Sequence, residues 1–392
     1  MYLTREEEQI LDGEKGAGIQ KALKIIVKVA EALGAERLVK IKAAHVSGIS
    51  YKNIGDEGLA LICGLARENC RVTVPTTVNP AGVDLEKWRE MHVPKEFVDK
   101  QAKIIRCLAK IGATPILSCI PYKIAPPRQG DQVAWGESNA VLYANSVLSA
   151  RTEREGGPLA LFEAIAGRAP YIGLRTDEGR KPTIIVTVEK SLETVNPAAL
   201  GYAIGALVEK GVPYIKGAKK ILSNDYKIRL FLAAIGASSG IGLAIIEGVS
   251  PEALKNSVEG LERISIGPLE VDDQISRIST EIDRPDAVAL GCPHLTPENM
   301  EKIEKVTGGK DIRRLILFTS RPLISRCRAA VASLESRGAR VYCDTCMVVS
   351  DLARMGVERV IVDSAKAAYY LSAQGFEVEL ADTLEAVRKA CL

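Results

Sequence analysis

The chain has 392 residues, 47% hydrophobic and 26% charged, a composition that excludes a disordered chain and fills two or three domains. Its 52 Lys and Arg stand against 49 Asp and Glu, a net charge of +3, so no strong field favours nucleic acid or an anionic membrane. No apolar run reaches the ~18 residues that cross a bilayer, and the acidic, polar opening Met1–Gly16 is unlike a secretory leader, so a cytoplasmic chain is expected.

In chain order, Thr4-Arg5-Glu6-Glu7 is a capping box and predicts a short opening helix. Gln20–Leu33 has helical spacing, Arg37–Ala44 reads as a strand, Glu57–Asn69 as a helix and Arg71–Thr76 as a strand. Phe97–Ile111 is helical, Thr114–Ser118 extended, and Asn139–Ser149 and Leu159–Ala166 helical. Thr183–Val188 reads as a strand and Ala198–Glu209 as a helix. The second half continues as strand Ala287–Leu290, helix Glu298–Val306, strand Arg314–Phe318, helix Ile324–Arg337 and strands Arg340–Tyr342 and Val360–Val362. Helices Lys366–Gln374 and Leu384–Cys391 close the chain. Strands alternating with helices predict α/β domains with mostly parallel sheets covered on both faces. Loose boundaries fall near 130 and 280, giving units 1–130, 131–280 and 281–392.

Nine cysteines, an odd number in a long chain, argue against a disulfide framework and for free thiols. Three follow strands directly: Cys119 after Thr114–Ser118, Cys292 after Ala287–Gly291, and Cys346 shortly after Arg340–Tyr342. Ligands of open α/β sheets bind beyond the carboxyl ends of strands, so these thiols can converge. Three thiolates suit a soft centre, iron–sulfur or zinc, and leave one metal position open for substrate. The competing reading is that cysteines are small core residues, which fits Cys63, Cys70, Cys107, Cys327 and Cys391 on helical stretches. Cys343-x-x-Cys346 also reads as a redox pair or half a zinc site, although no second CxxC or HxxxH completes one.

Gly236–Gly242 copies the glycine turn of dinucleotide-binding folds. It lies mid-chain, is followed by β-like residues and has no Tyr-x-x-x-Lys partner, so a tight helix-to-strand connection is expected rather than a nicotinamide site. Between Trp135 and Gly157 the chain is dense in amides, hydroxyls and arginines. On one continuous helix, Ser138, Asn145 and Thr152 would share a face and Arg151 and Arg154 would sit at its end, where guanidinium groups clamp carboxylate or phosphate. Glu137, Asn139 and Ser146 belong to the same cluster. The alternative is a solvated surface helix. Two shorter clusters follow strands: His45-Val46-Ser47-Gly48, and Thr76–Pro80 with Asn79. His294, two residues from Cys292, is open to either a structural or a catalytic role.

Together these segments resemble the aconitase X family nearly end to end. The resemblance rests on Met1-Tyr2-Leu3-Thr4, His45-Val46-Ser47-Gly48, Ser118-Cys119-Ile120-Pro121-Tyr122, Gly136–Ala140, Gly291-Cys292-Pro293-His294, Asp344-Thr345-Cys346 and Ser364-Ala365-Lys366. It implies an aconitase-like fold, with several three-layer α/β domains around a central cleft, and a hydro-lyase holding an iron–sulfur cluster of the 4Fe–4S type with one open iron. Carried over by motif, the ligands are Cys119, Cys292 and Cys346. The substrate-binding set is His45, Ser47, Gly48, Asn79, Glu137, Ser138, Asn139, Asn145, Ser146, Arg151, Thr152 and Lys366. The implied reaction dehydrates mevalonate 5-phosphate to trans-anhydromevalonate 5-phosphate, towards isoprenoids. Relatives close a swivel domain over the cluster, and that domain contributes a serine to proton transfer. No such domain follows the alternation here, so a separate small subunit is the expected partner and source of the base, in a heterodimer or higher assembly. The alternatives are a cis-3-hydroxy-L-proline dehydratase of the same family and a non-catalytic iron–sulfur protein.

Overall fold

The computed structural model describes residues 1–254 and 258–391. The opening capping box forms as written: the Thr4 N–H donates to Glu7 Oε2 at 2.9 Å, and the Glu7 N–H to Thr4 Oγ1 at 3.4 Å, starting helix Arg5–Leu11. Helix Ala17–Ala32 then buries Ala22, Leu23, Ile26 and Ala30, a single 3.6-period stripe.

Three parallel sheets follow. In the first, Ala43–Val46 lies between Thr76–Val78 and Val133–Trp135. The second runs in the order Ile245–Ile246, Pro213–Lys216, Ile184–Val188, Arg263–Ile266. The third runs Arg340–Cys343, Leu315–Thr319, Ala287–Leu290, Arg359–Val362, Glu377–Leu380. Its central strands read Ala-Val-Ala-Leu and Leu-Ile-Leu-Phe-Thr, and every one of these residues is buried. Unbroken apolar runs are what a parallel sheet covered by helices on both faces requires. A small antiparallel pair, Leu38–Lys40 with Arg168–Pro170, ties the early chain to residue 170.

Several expectations shift. Arg37–Ala44 divides into Leu38–Lys40 and Ala43–Val46, which belong to different sheets. Val133–Trp135 joins the first sheet, so an expected boundary at 130 cuts through hydrogen-bonded strands. A three-residue strand is too short to show a period in sequence. The expected helix Asn139–Ser149 ends at Ser146, and Ser149 adopts a positive φ of 51° that turns the chain back.

The expectation of free thiols fails at one pair. Helices Tyr51–Arg67 and Lys95–Ile111 pack together, and Cys63 and Cys107 form a disulfide with Cα atoms 5.2 Å apart. A separation of 44 residues carries no sequence signal for such a contact. The other seven cysteines are free.

The glycine-rich segment lies at the C-terminal end of helix Asp225–Ser238, leading towards strand Ile245–Ile246. A Cβ on Gly236 would approach Leu142 Cδ1 to 3.0 Å and Ser138 Cβ to 3.1 Å. The glycine therefore lets two helices approach closely. A dinucleotide turn would instead precede a helix.

Candidate active site

The three strand-end cysteines come together from two sheets. Ser118 N–H donates to Val78 O at 3.3 Å, which holds Cys119 at the end of the first sheet. Cys292 follows Gly291, whose φ of +114° and whose approach to Phe318 O, 2.3 Å from a built Cβ, exclude any side chain. Cys346 follows Asp344, another positive-φ residue at 64°. All three thiols are free and buried.

His294 joins the three loops. Its backbone N–H donates to Cys119 Sγ at 3.3 Å. Its Nε2 lies 2.8 Å from the Thr345 carbonyl, which only accepts, so this nitrogen carries the proton. Nδ1 then accepts from the Ser118 hydroxyl at 3.4 Å, and Arg229 Nη1 donates to the His294 carbonyl at 2.8 Å. Burial pulls the imidazole pKa down to about 4, so the ring is neutral near pH 7.

The thiols sense one another. Burial raises Cys119 most, and the charges of Glu137, Cys346 and Cys292 raise it further. Cys292 is pushed up to about 12, by burial first and also by Cys346, with Lys366 opposing. Cys343 has different neighbours: burial raises its thiol, followed by Asp344 and Asp84, and its backbone N–H donates to Asp84 Oδ2 at 2.7 Å.

Beside the thiols lies a polar chain. His45 Nε2 sits 3.2 Å from Asn79 Oδ1, and Asn79 Nδ2 donates to Glu137 at 2.8 Å. Glu137 also accepts from Asn139 at 3.0 Å and pairs with Lys366 Nζ, which reaches Ser138 Oγ at 3.0 Å. Burial pushes the Glu137 carboxyl up, but the charge of Lys366 and these hydrogen bonds prevail and hold it at about 2. Lys366 loses ground to burial, yet Glu137 keeps it firmly protonated.

Asn79, Glu137, Ser138 and Lys366 open onto a cavity of about 370 Å³, which Ser47 and Gly48 also line. His45 is fully buried, with Nδ1 2.8 Å from Thr77 Oγ1, so it orients Asn79 from behind the cavity wall. A larger cavity of about 780 Å³, lined by Lys123, Asp225, Arg229 and Glu298, holds none of the predicted site residues.

Four predicted residues lie elsewhere. Asn145 is buried and spends its amide on Thr152, Gly242 and Arg180. Thr152 Oγ1 accepts from the Trp135 N–H at 3.0 Å, and Ser146 Oγ from the Ala244 N–H at 3.0 Å. Arg151 pairs with exposed Asp177. The cause is the helix end at Ser146, because past the turn Thr152 folds back onto Asn145 instead of continuing one face. Arg154, three residues on, lines the cavity instead. Arg154 and His294 stand in the polar clusters of the sequence but outside the expected substrate-binding set. The signal for His294 was its place two residues after Cys292.

Models of the aconitase X first, second and third domains match residues 1–178, 182–276 and 285–392. The chain is 38% identical to the phosphomevalonate dehydratase large subunit of Methanocaldococcus jannaschii, covering 95% of each protein. The chain belongs to the aconitase X family. A crystal structure of Thermococcus kodakaraensis aconitase X in its holo-form superposes with a TM-score of 0.90 at 34% identity, covering 99% of both chains. The cis-3-hydroxy-L-proline dehydratase of Pseudomonas aeruginosa is 33% identical over 93% of this chain but only 65% of its own length.

Membership of the aconitase X family suggests an iron–sulfur group, and the residues present fit one. Three free, buried thiols lie near enough for Cys292 and Cys346 to raise the pKa of Cys119, and the Thr345 hydroxyl beside Cys346 is buried with no hydrogen-bond partner among the described residues. A donor left unmatched in this way suits a sulfide acceptor. Among the described residues no three His, Cys, Asp or Glu side chains stand close enough to hold a single metal ion. A cluster differs from a single ion, since each thiolate engages a different iron and the thiolates stand further apart.

Proposed function

We propose that this chain is the large subunit of a phosphomevalonate dehydratase, with an iron–sulfur cluster held by Cys119, Cys292 and Cys346. The observation that carries the reading is the cavity where Lys366 and Ser138 meet beside three free, buried thiols. The full-length likeness to named large subunits supports the substrate, mevalonate 5-phosphate. When bound, the cluster supplies Lewis-acid polarisation of a departing hydroxyl.

The chain's own residues do the rest. Glu137, locked by Lys366, Asn79 and Asn139, is too acidic to serve as a base near pH 7. Its task is to hold Lys366, which lines the cavity and binds the substrate carboxylate with the N–H that Glu137 and Ser138 leave unused. Ser138 and Asn79 orient that carboxylate, Ser47 and Gly48 line the approach to it, and His45 and His294 keep the walls in register. The base comes from a small partner subunit, which closes over the cavity and excludes water. No helix among the described residues is long and apolar enough to cross a membrane, and the reading places the pair in the cytoplasm. The first domain boundary is better placed near residue 180 than near 130, and the second stays near 280, a division that the spans of the three family models support.

The test is anaerobic reconstitution of both subunits, followed by product analysis with mevalonate 5-phosphate and with cis-3-hydroxy-L-proline. The reading expects turnover of the first only, and only with both chains present. Turnover by the isolated, cluster-loaded chain would place lid and base within it. Turnover of hydroxyproline would favour the second family activity.

A further inference from the structure

The rim of the 370 Å³ cavity carries charge that the base of the cavity leaves unused. Three cations line it, Lys52, Arg154 and Lys366, against the single carboxylate of Glu137. Lys366 is neutralised by Glu137. Among the described residues Lys52 reaches only the amide oxygen of Gln374, at 3.0 Å. Arg154 donates to the carbonyls of Gly236 and Ser239, both at 2.8 Å, where helix Asp225–Ser238 ends. These carbonyls fix the guanidinium without cancelling its charge, and three of its five N–H groups stay available. Ser50 also lines the cavity, but its hydroxyl oxygen is turned inward against Gly82, 2.5 Å from a Cβ built there, and is buried away from a ligand in the cavity.

We propose that Arg154 and Lys52 form a phosphate-monoester subsite, which sets the preference for a phosphorylated substrate over its unphosphorylated counterpart. The inference rests on the functional reading above and names the part of the cavity that recognises phosphate. A phosphate monoester carries about −1.5 to −2 charges at pH 7 and three acceptor oxygens. Arg154 offers a planar fork for two of those oxygens, and Lys52 a mobile ammonium for the third. The division of charge is consistent: the neutralised Lys366 pair at the base takes a monoanionic carboxylate, and the uncompensated rim takes the larger charge. The segment that mimics a phosphate-binding glycine turn acts indirectly, because its carbonyls orient the arginine.

The experiment uses the two-subunit, cluster-loaded enzyme. Steady-state rates with mevalonate 5-phosphate and with mevalonate are compared for wild type, Arg154→Gln and Lys52→Gln. In Arg154→Gln the ratio of kcat/KM for the phosphorylated over the unphosphorylated substrate should fall on the order of 100-fold, expressed mainly as a higher KM for the phosphorylated one. Lys52→Gln, a change on an exposed side chain, should lower the ratio roughly 10-fold, and it keeps the test decisive should Arg154→Gln disturb the turn at Gly236. Inorganic phosphate should compete with substrate in wild type and lose potency in both variants. An unchanged ratio in Arg154→Gln and Lys52→Gln, with phosphate inhibition intact, overturns the proposal. Should the wild-type pair fail to dehydrate mevalonate 5-phosphate at all, the functional reading falls. Calorimetric titration with inorganic phosphate, comparing wild type with the two variants, then decides the subsite on its own.

Discussion

The backbone N–H of His294 points at Cys119 Sγ from 3.3 Å, across 175 residues of chain and between two different sheets. The same residue holds the Thr345 carbonyl through its ring and stands two positions after Cys292. One neutral imidazole therefore sets the spacing of three cysteine loops. An N–H aimed at a sulfur also lowers the cost of making that sulfur a thiolate, as metal binding requires.

His294→Ala should accordingly impair cluster assembly even though it removes no ligand. The expected result is at least roughly a tenfold loss in iron affinity, read as iron and sulfide content after anaerobic reconstitution. Full loading with unchanged visible absorbance would remove His294 from this role. Deleting the ring also leaves the Thr345 carbonyl buried without its partner and the Ser118 hydroxyl with nothing to donate to, while it still accepts from the Ile120 N–H, a loss of about 1–3 kcal/mol in stability.

Serine at Cys119, Cys292 or Cys346 should each abolish cluster absorbance, because a hydroxyl is a poor iron ligand at neutral pH. Cys343→Ser should retain it, since that thiol is surrounded by Asp344, Asp84 and Arg321. Loss in Cys343→Ser with retention in Cys346→Ser would exchange the two assignments.

The two cations chosen from sequence should now behave differently. Lys366→Ala leaves the nearly buried Glu137 carboxylate without its counter-charge, an expected cost of about 3–5 kcal/mol, together with loss of turnover. Lys366→Arg tests whether charge alone suffices. Arg151 pairs with the exposed Asp177 at the surface, so Arg151→Lys should leave activity near wild type and stability within about 1 kcal/mol. A large loss of kcat in Arg151→Lys would return that residue to the site.

Asp363 supplies a pH dependence in the lower acid range. Burial raises its carboxyl from 3.8 to about 6, against hydrogen bonds from Tyr226 at 2.6 Å and Thr383 at 2.9 Å. A raised carboxyl pKa means the folded state binds the proton more tightly than the unfolded chain. This group's contribution is therefore greatest below pH 4 and falls by up to about 3 kcal/mol as pH rises through 6. Asp363→Asn cannot ionise, so its melting temperature should fall less than that of wild type between pH 4.5 and 7. Parallel melting curves for the two proteins would show that Asp363 keeps an ordinary pKa.

The disulfide should act on stability alone. Closing a loop with a sequence separation of 44 contributes about 4 kcal/mol in the chain-entropy model. Cys63→Ala with Cys107→Ala should lower the melting temperature and leave cluster loading intact. Equal melting curves with and without reductant, and free-thiol titration of all nine cysteines, would show that the bond does not form in solution.

The amino-acid sequence by itself determined the alternation of strand and helix, the parallel sheets and the three strand-end cysteines. Those features are local: apolar runs such as Ala287–Leu290 and the cap at Thr4 act over a few residues, and period and capping chemistry express them directly. Tertiary structure decided what lies between distant segments. Whether Arg151 or Arg154 faces the cavity depended on a backbone turn at Ser149, which no side-chain pattern announced. The Cys63–Cys107 bond depended on how two helices pack. Asn145 and Thr152 matched a binding stripe in sequence but are consumed by each other, because a buried helix must satisfy its own polar groups before it can offer them to a ligand.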